Sequence, residues 1–236
     1  MLSIKNLTIS VGKKKIVEDF SFDFEKNRVY ALMGPNGSGK SSLALALMGH
    51  PAYRVSRNAR LLFYNKSIKG LTPEKRARLG LFLSFQSPLG LTGVNALQLL
   101  RQAAGKTDVL ELQSKINKIA RELKIRPELL ERSLNQDFSG GERKKMEILQ
   151  AAVLNPKFLI FDEIDTGLDV DSLKTAASFL KRLARPDKTL LLITHYNRIL
   201  KYLKPDEVLA LKDGRLLAKG GYRLAQKIEK QGYEKI

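Results

Sequence analysis

The chain has 236 residues, 43% of them hydrophobic, with no cysteine, two histidines and a formal charge of +18 from 42 basic and 24 acidic side chains. That length and apolar content suit one large folded domain, and the missing cysteines and scarce histidines exclude a disulfide framework, a thiolate metal site and a histidine cage. No apolar run reaches the length of a bilayer span, and the start "MLSIKNLTIS" alternates like a strand rather than a secretory leader, so a cytoplasmic chain is expected.

In chain order, "LSIKNLTISV" and "IVEDFSFDF" read as strands joined by a lysine-rich turn. "RVYALMG" is a buried strand feeding a glycine loop, and "SSLALALMG" is a helix ending at Gly49. "RLLFYNKSI" reads as a strand. "TPEKRARLG" reads as a short helix with Thr72 as N-cap and Pro73 at the first helical position, and "LFLSFQ" as the next strand. From about residue 92 to 154 the pattern is almost wholly helical. Strands and helices then alternate again through "PKFLIFDEID", "DVDSLKTAASFLKRLA", "KTLLLITHY" and "NRILKYLK". The chain closes on a hairpin with an Asp-Gly turn, "DEVLALKDGRLLAKGG", and an amphipathic helix. This order predicts an α/β nucleotide-binding core, 1–91 and 155–236, carrying a helical subdomain over about 92–154.

The net charge admits nucleic acid or an anionic membrane as partners. The lysines are scattered, however, without an arginine-rich arm or interleaved aromatics, so a lysine-rich solvated surface is the reading adopted.

"GPNGSGKS" lies between the buried strand and the helix and fits the phosphate-binding pattern G-x-x-x-x-G-K-[ST]. Gly34, Gly37 and Gly39 let the backbone curl around the α- and β-phosphates, and Pro35, Asn36, Ser38 and Ser42 complete the nucleotide-binding run. Lys40 brings charge to the β- and γ-phosphates, and Ser41 a hydroxyl for Mg²⁺. "FLIFDE" ends a buried strand in two acids: Asp162 for the magnesium, and Glu163 to orient or deprotonate the attacking water. Gln86 closes "LFLSFQ" and is placed to sense the metal and the water. His195 closes "LLLITH" and is placed to donate to the γ-phosphate.

"FSGGERKK", residues 138–145, offers a capping box from Ser139 to Glu142 and, through its glycines and helix dipole, an anion cradle. Glu142 in the first turn would repel that anion. Arg143, Lys144 and Lys145 are expected to offset it, with one of them, Lys144 being the variant of choice, pairing with Glu163 at rest.

These motifs, in this order over nearly the whole chain, resemble the ATP-binding-cassette superfamily, whose signature "FSGGE" matches. The resemblance implies an ABC ATPase domain, with a RecA-like core, an N-terminal antiparallel β subdomain and the inserted helical subdomain. It implies ATP and Mg²⁺ as ligands and two cassettes stacked head to tail, with Ser139, Gly140 and Gly141 binding the γ-phosphate on the opposing subunit. Asp169 in "TGLD" would lie along that interface. The chain departs from the pattern at Val11, where an aromatic usually stacks on adenine, and at Glu142, where glutamine is commoner; the first puts base selectivity in question.

"LMGHPAY", "RSLNQDFSGGERKKMEILQ", "DEIDTGLDVDSLK", "THYNRILKYLKPDEV" and "KIEKQGYEKI" are similar to the SufC family, the ATPases of Suf iron–sulfur cluster assembly. That implies a complex with SufB and SufD, or with SufB alone. The other reading is the nucleotide-binding subunit of an ABC transporter. DNA-linked cassettes carry a long coiled coil between the two phosphate motifs, whereas Lys40 and Ser139 stand 99 positions apart here. A partner would dock by Gln86 and "SPLGLTGVNALQLL", through Leu89 and Leu91, unless those leucines pack under the helical subdomain.

Overall fold

Alternation of period two lays down the first sheet. In the computed structural model, which describes residues 1–105, 107–184, 187–195 and 197–236, strands β1 (Leu2–Val11) and β2 (Lys14–Phe24) pair antiparallel. They bury alternate side chains, as a sheet with one covered face requires. β5 (Arg60–Phe63) pairs with the other edge of β1, β6 (Lys66–Ser67) follows β5, and the two-residue β4 (Arg54–Val55) meets the end of β1. The predicted strand "RLLFYNKSI" is thus a hairpin, because Tyr64 and Asn65 turn at φ 48° and 63°.

The second sheet runs β11 (Arg215–Gly220), β10 (Glu207–Lys212), β3 (Val29–Met33), β9 (Thr189–Ile193), β8 (Phe158–Asp162), β7 (Leu81–Ser84). Its pairs from β10 to β7 are parallel, and β11 is antiparallel to β10. Every residue of β3, β8 and β9 is buried, since both faces are covered. Tyr30, Leu32, Phe158 and Ile160 face the first sheet and helix α1 (Lys40–Met48), which sits between the sheets. There Tyr30 and Phe158 meet Phe24 edge to face at 5.0 and 5.3 Å. Ala31, Met33, Leu159 and Phe161 face the opposite core.

That second core is helical. Outside it, α2 (Pro73–Leu79) packs against α1 and β7 and starts after Thr72 with proline in its first turn, as its sequence predicts. α3 (Ala96–Ala104), α4 (Val109–Glu122) and α5 (Glu128–Glu131) gather around α6 (Gly140–Leu154), whose Met146, Ile148, Leu149 and Ala151 are buried. α7 (Val170–Leu183) and α8 (Tyr222–Gln231) complete the layer. An asparagine or aspartate caps α3, α4 and α7, each side chain accepting from a backbone N–H of the first turn.

The Asp-Gly turn closes the β10–β11 hairpin with Asp213 at φ 48° and Gly214 at φ 76°. Strand β7 stops at Ser84 and β9 at Ile193, so Gln86 and His195 lie two residues past the strands predicted to end at them. Tyr196, the last residue of the stretch "KTLLLITHY", lies outside the described residues. Among the described residues no helix is long and apolar enough to cross a membrane.

Candidate nucleotide site

Strands β3, β7, β8 and β9 release their chains at one edge of the parallel sheet, the carboxyl edge where open α/β sheets take ligands. The loop after β3 curls because only glycine fits its tight points. A Cβ on Gly34 would collide with Leu211 O and Ser38 Oγ, and one on Gly39, at φ 100°, would sit 2.9 Å from Val17 Cγ2. The hairpin tip braces the loop, Gly214 N donating to Ser38 O at 3.1 Å. Helix α1 then begins with no side-chain cap and no acid in its first turn, so its N–H groups and positive dipole end are left for an anion.

Lys40 is buried, and its Nζ donates to Gly34 O and Pro35 O, both at 2.9 Å. Burial lowers its pKa, opposed by Glu163 and Asp162. Asn36, Gly37, Gly39, Lys40, Ser41 and Ser42 line a groove of about 470 Å³ together with Gln86, Glu163 and His195. Lys14 and Ile16 form another part of its lining. Among the described residues no Phe, Tyr or Trp lines the groove, and Val11, paired with Lys14 in the β1–β2 register, is exposed.

Asp162 ends β8 and is buried; burial raises its pKa, and the Ser41 hydroxyl facing it works the other way. Among the described residues its Oδ1 has no hydrogen-bond partner. A buried orphan carboxylate oxygen beside a hydroxyl is a donor set that a hard divalent cation fits. Among the described residues no cluster of three or more histidine or carboxylate side chains is placed to hold a metal. An ion here would therefore complete its shell from nucleotide and water, as magnesium commonly does.

Glu163 follows at φ 52°, a left-handed conformation unusual for its type, with its N–H donating to Ile193 O at 2.9 Å. Its carboxylate accepts from Gln86 Nε2 at 2.8 Å and meets His195 Nε2 through the other oxygen. The other ring nitrogen, Nδ1, lies 3.1 Å from Gly34 O, so His195 bridges the carboxylate and the phosphate loop.

Lys144 does not pair with Glu163. Its Nζ donates instead to Phe85 O, Gln86 O and Asp162 O, and its nearest carboxylate partner is Glu147 at 3.9 Å. Nor do the bases after the signature neutralise Glu142. Arg126, from the turn before α5, pairs with it at 2.7 Å.

Ser139 and Glu142 form the capping box: Glu142 N donates to Ser139 Oγ at 3.3 Å and Ser139 N to the Glu142 carboxylate at 2.8 Å. Gly140 and Gly141 lie against Gly167, where a Cβ on Gly141 would come 3.1 Å from Gly167 O. Asp169 caps α7, accepting from Ser172 N at 2.7 Å, and that bond lowers its pKa. None of Ser139, Gly140, Gly141 and Asp169 lines the groove. The chain brings together the phosphate loop, the two acids, Gln86 and His195, and holds the signature and Asp169 apart from them.

Sequence reasoning passed over Asp165, Glu147 and Lys14. Asp165 is buried, with its pKa raised by burial, and accepts from Thr194 Oγ1 at 3.1 Å, tying the loop after β8 to the loop bearing His195. Its position three residues beyond Asp162 in "DEID" was a visible signal. For Lys14 the signal was the basic turn itself, and for Glu147 only an acid on a helix face that is otherwise buried.

A glycine loop and an acidic strand meeting at the carboxyl edge of a parallel sheet define the class, a P-loop ATPase. A family model described as ABC transporter matches residues 17–166. The chain is 40% identical over 243 residues to the probable ATP-dependent transporter ycf16 of Cyanophora paradoxa, covering 99% of this chain and 93% of that protein. It is also 40% identical to a probable ABC transporter ATP-binding protein of Streptococcus pyogenes, covering all of this chain and 94% of that one. The ADP conformation of MJ1267, an ATP-binding cassette of an ABC transporter, superposes with a TM-score of 0.79 at 26% identity, over 98% of this chain and 95% of that one. The chain belongs to the ABC transporter family, as one of its ATPase domains.

Proposed function

We propose that this chain is the ATP-binding and ATP-hydrolysing subunit of a cytoplasmic Suf iron–sulfur cluster assembly complex. Two copies close head to tail on ATP and move a scaffold of SufB and SufD, or of SufB alone. The observation that carries the Suf reading is the set of strings similar to the SufC family outside the phosphate motifs, from "LMGHPAY" to "KIEKQGYEKI". A chain without cysteine is consistent with leaving cluster ligation to partners.

The site supports hydrolysis as follows. The loop N–H groups and the start of α1 hold the phosphates, and Lys40 turns from Gly34 O and Pro35 O to the β- and γ-phosphates. Ser41 and Asp162 would hold magnesium, which when bound neutralises charge on the phosphate oxygens. Glu163 takes the proton from water as its oxygen bonds to the γ-phosphorus. The bond from that phosphorus to the bridging oxygen breaks, and the oxygen leaves with ADP. Gln86 orients the water, and His195 donates to the γ-phosphate as its charge develops. Ser139, Gly140 and Gly141, remote from their own chain's groove, reach the γ-phosphate held by the other copy, with Asp169 along the same interface.

The scaffold docks beside Gln86, where Phe85, Pro88, Leu89 and Leu91 line an apolar groove of about 290 Å³. Leu89 is 81% exposed, which favours a partner contact over packing beneath the helices. The test is purification of the tagged protein from its own cells. Soluble SufB-like and SufD-like chains are expected, and loss of both on changing Leu89 and Leu91 to serine. The relatives' names favour the second reading, a transporter subunit, and a co-purifying polytopic membrane protein would replace the first with it.

A further inference from the structure

Strand β7 ends at Ser84, and Phe85 and Gln86 follow it without a neighbouring strand among the described residues. Their polar groups are taken up by helix α6. Glu147, whose side chain is 6% exposed, accepts from Ser84 Oγ and from Phe85 N, both at 2.8 Å. Lys144, one turn earlier and as deeply buried, uses all three of its protons: on Phe85 O at 3.1 Å, Gln86 O at 2.9 Å and Asp162 O at 3.4 Å. Five hydrogen bonds therefore run from two side chains of the signature helix to Ser84, Phe85, Gln86 and Asp162.

Stability alone does not account for this pair. Burying an acid and a base costs desolvation that their mutual attraction rarely repays, and the five hydrogen bonds, which apolar side chains could not make, offset part of that cost. What only the polar pair supplies is direction. It fixes the main chain on either side of the Gln86 amide, and that amide holds the Glu163 carboxylate. Ser139 caps the start of the same helix, so the signature and Gln86 are tied to one element.

We infer that Glu147 and Lys144 are positioning residues, which tie Gln86 and the end of β8 to the signature helix so that Gln86 is set for hydrolysis only when α6 is in place. The inference rests on the ATPase reading and adds to it two residues that do not line the groove.

The test compares the full-length chain with Glu147→Ala, Glu147→Gln and Ser84→Ala, each alone and combined with Gln86→Ala, measuring kcat, KM and the Kd for ATP. Glu147→Ala is expected to lower kcat about 10-fold while Kd stays within about 2-fold, since only the transition state needs Gln86 in place. Glu147→Gln, which keeps an acceptor for Phe85 N and can donate to the Ser84 hydroxyl, should recover most of the rate. With Gln86→Ala already present, Glu147→Ala should cost less than about 2-fold more, because residues acting through one group are not additive. Ser84→Ala removes a single bond and guards against misfolding; it should show a smaller loss that vanishes in the same way. Losses that multiply with Gln86→Ala, or that fall on Kd and kcat alike, would overturn the inference. A wild-type chain that neither binds nor hydrolyses ATP would instead overturn the reading beneath it.

Discussion

Gln86 and Glu163 stand 77 positions apart and meet through a 2.8 Å hydrogen bond from the amide Nε2 to the carboxylate. One comes from the loop after β7, the other from the end of β8, and β7 and β8 are neighbours in register from Leu81↔Phe158 to Ser84↔Phe161. The contact occupies the group proposed to take a proton from water, and His195 occupies it from the other side.

Changing Glu163→Gln removes the base and keeps the size and one acceptor oxygen for Gln86 Nε2. Turnover should fall by at least about 100-fold, at the scale of general-base removal, with ATP affinity retained. The variant should accumulate as an ATP-bound dimer of two 26.5 kDa chains, read by light scattering with and without ATP. A variant hydrolysing at the wild-type rate would end the assignment.

Lys40→Ala takes a buried cation from the phosphate loop. Binding itself should weaken, by about 10-fold or more, as expected for loss of a charge-assisted contact. Titration with a fluorescent ATP analogue measures it, and unchanged affinity would count against the loop as the phosphate site.

His195→Ala should act differently. Its contact with the γ-phosphate strengthens as negative charge develops, so kcat should drop by roughly 10- to 100-fold with a much smaller change in Kd. Equal losses in both would reduce His195 to a structural bridge between Gly34 O and Glu163.

Glu147 gives a pH prediction that needs no nucleotide. Burial foremost raises its pKa from the ordinary 4.5 to about 7, against Lys144, Ser84 and Phe85 N, with Asp162 adding to the rise. The folded chain then binds this proton more tightly than the unfolded chain. Its stabilising contribution is complete below pH 4.5 and is lost as pH rises through about 7. The pKa values of Asp162 and Asp165 are also raised by burial, so the difference between wild type and Glu147→Gln isolates the effect of Glu147. Across that window the Tm of wild type should fall relative to the variant; parallel curves would mean no shift.

What the sequence made legible is what lies close together along the chain. Gly34 to Ser42 form one unbroken loop and helix start, Asp162 and Glu163 end one strand, and Ser139 and Glu142 fall within one turn. Partners joined only by folding were not legible. Arg126 reaches Glu142 from 16 positions away, and Lys144 reaches Phe85 from 59, so charge alternation near residue 142 pointed to the wrong bases. The Tyr64-Asn65 turn escaped because its flanks continue a strand-like pattern, while the backbone reverses through two left-handed residues.

The central claim is that Ser139, Gly140 and Gly141 complete the site of a second copy. Gly140 has room for a side chain, the nearest atom to an added Cβ being Gly167 Cα at 3.9 Å, so Gly140→Asp should fold while placing a negative charge in the anion cradle. Mixing Gly140→Asp with Lys40→Ala forms heterodimers in which one of two sites has both an intact phosphate loop and an intact signature. Each variant alone should be nearly inactive, and the mixture should recover roughly a quarter of the wild-type rate per subunit, as random pairing of two-fold dimers dictates. A mixture no more active than its parts, or a Gly140→Asp chain fully active alone, would contradict the account.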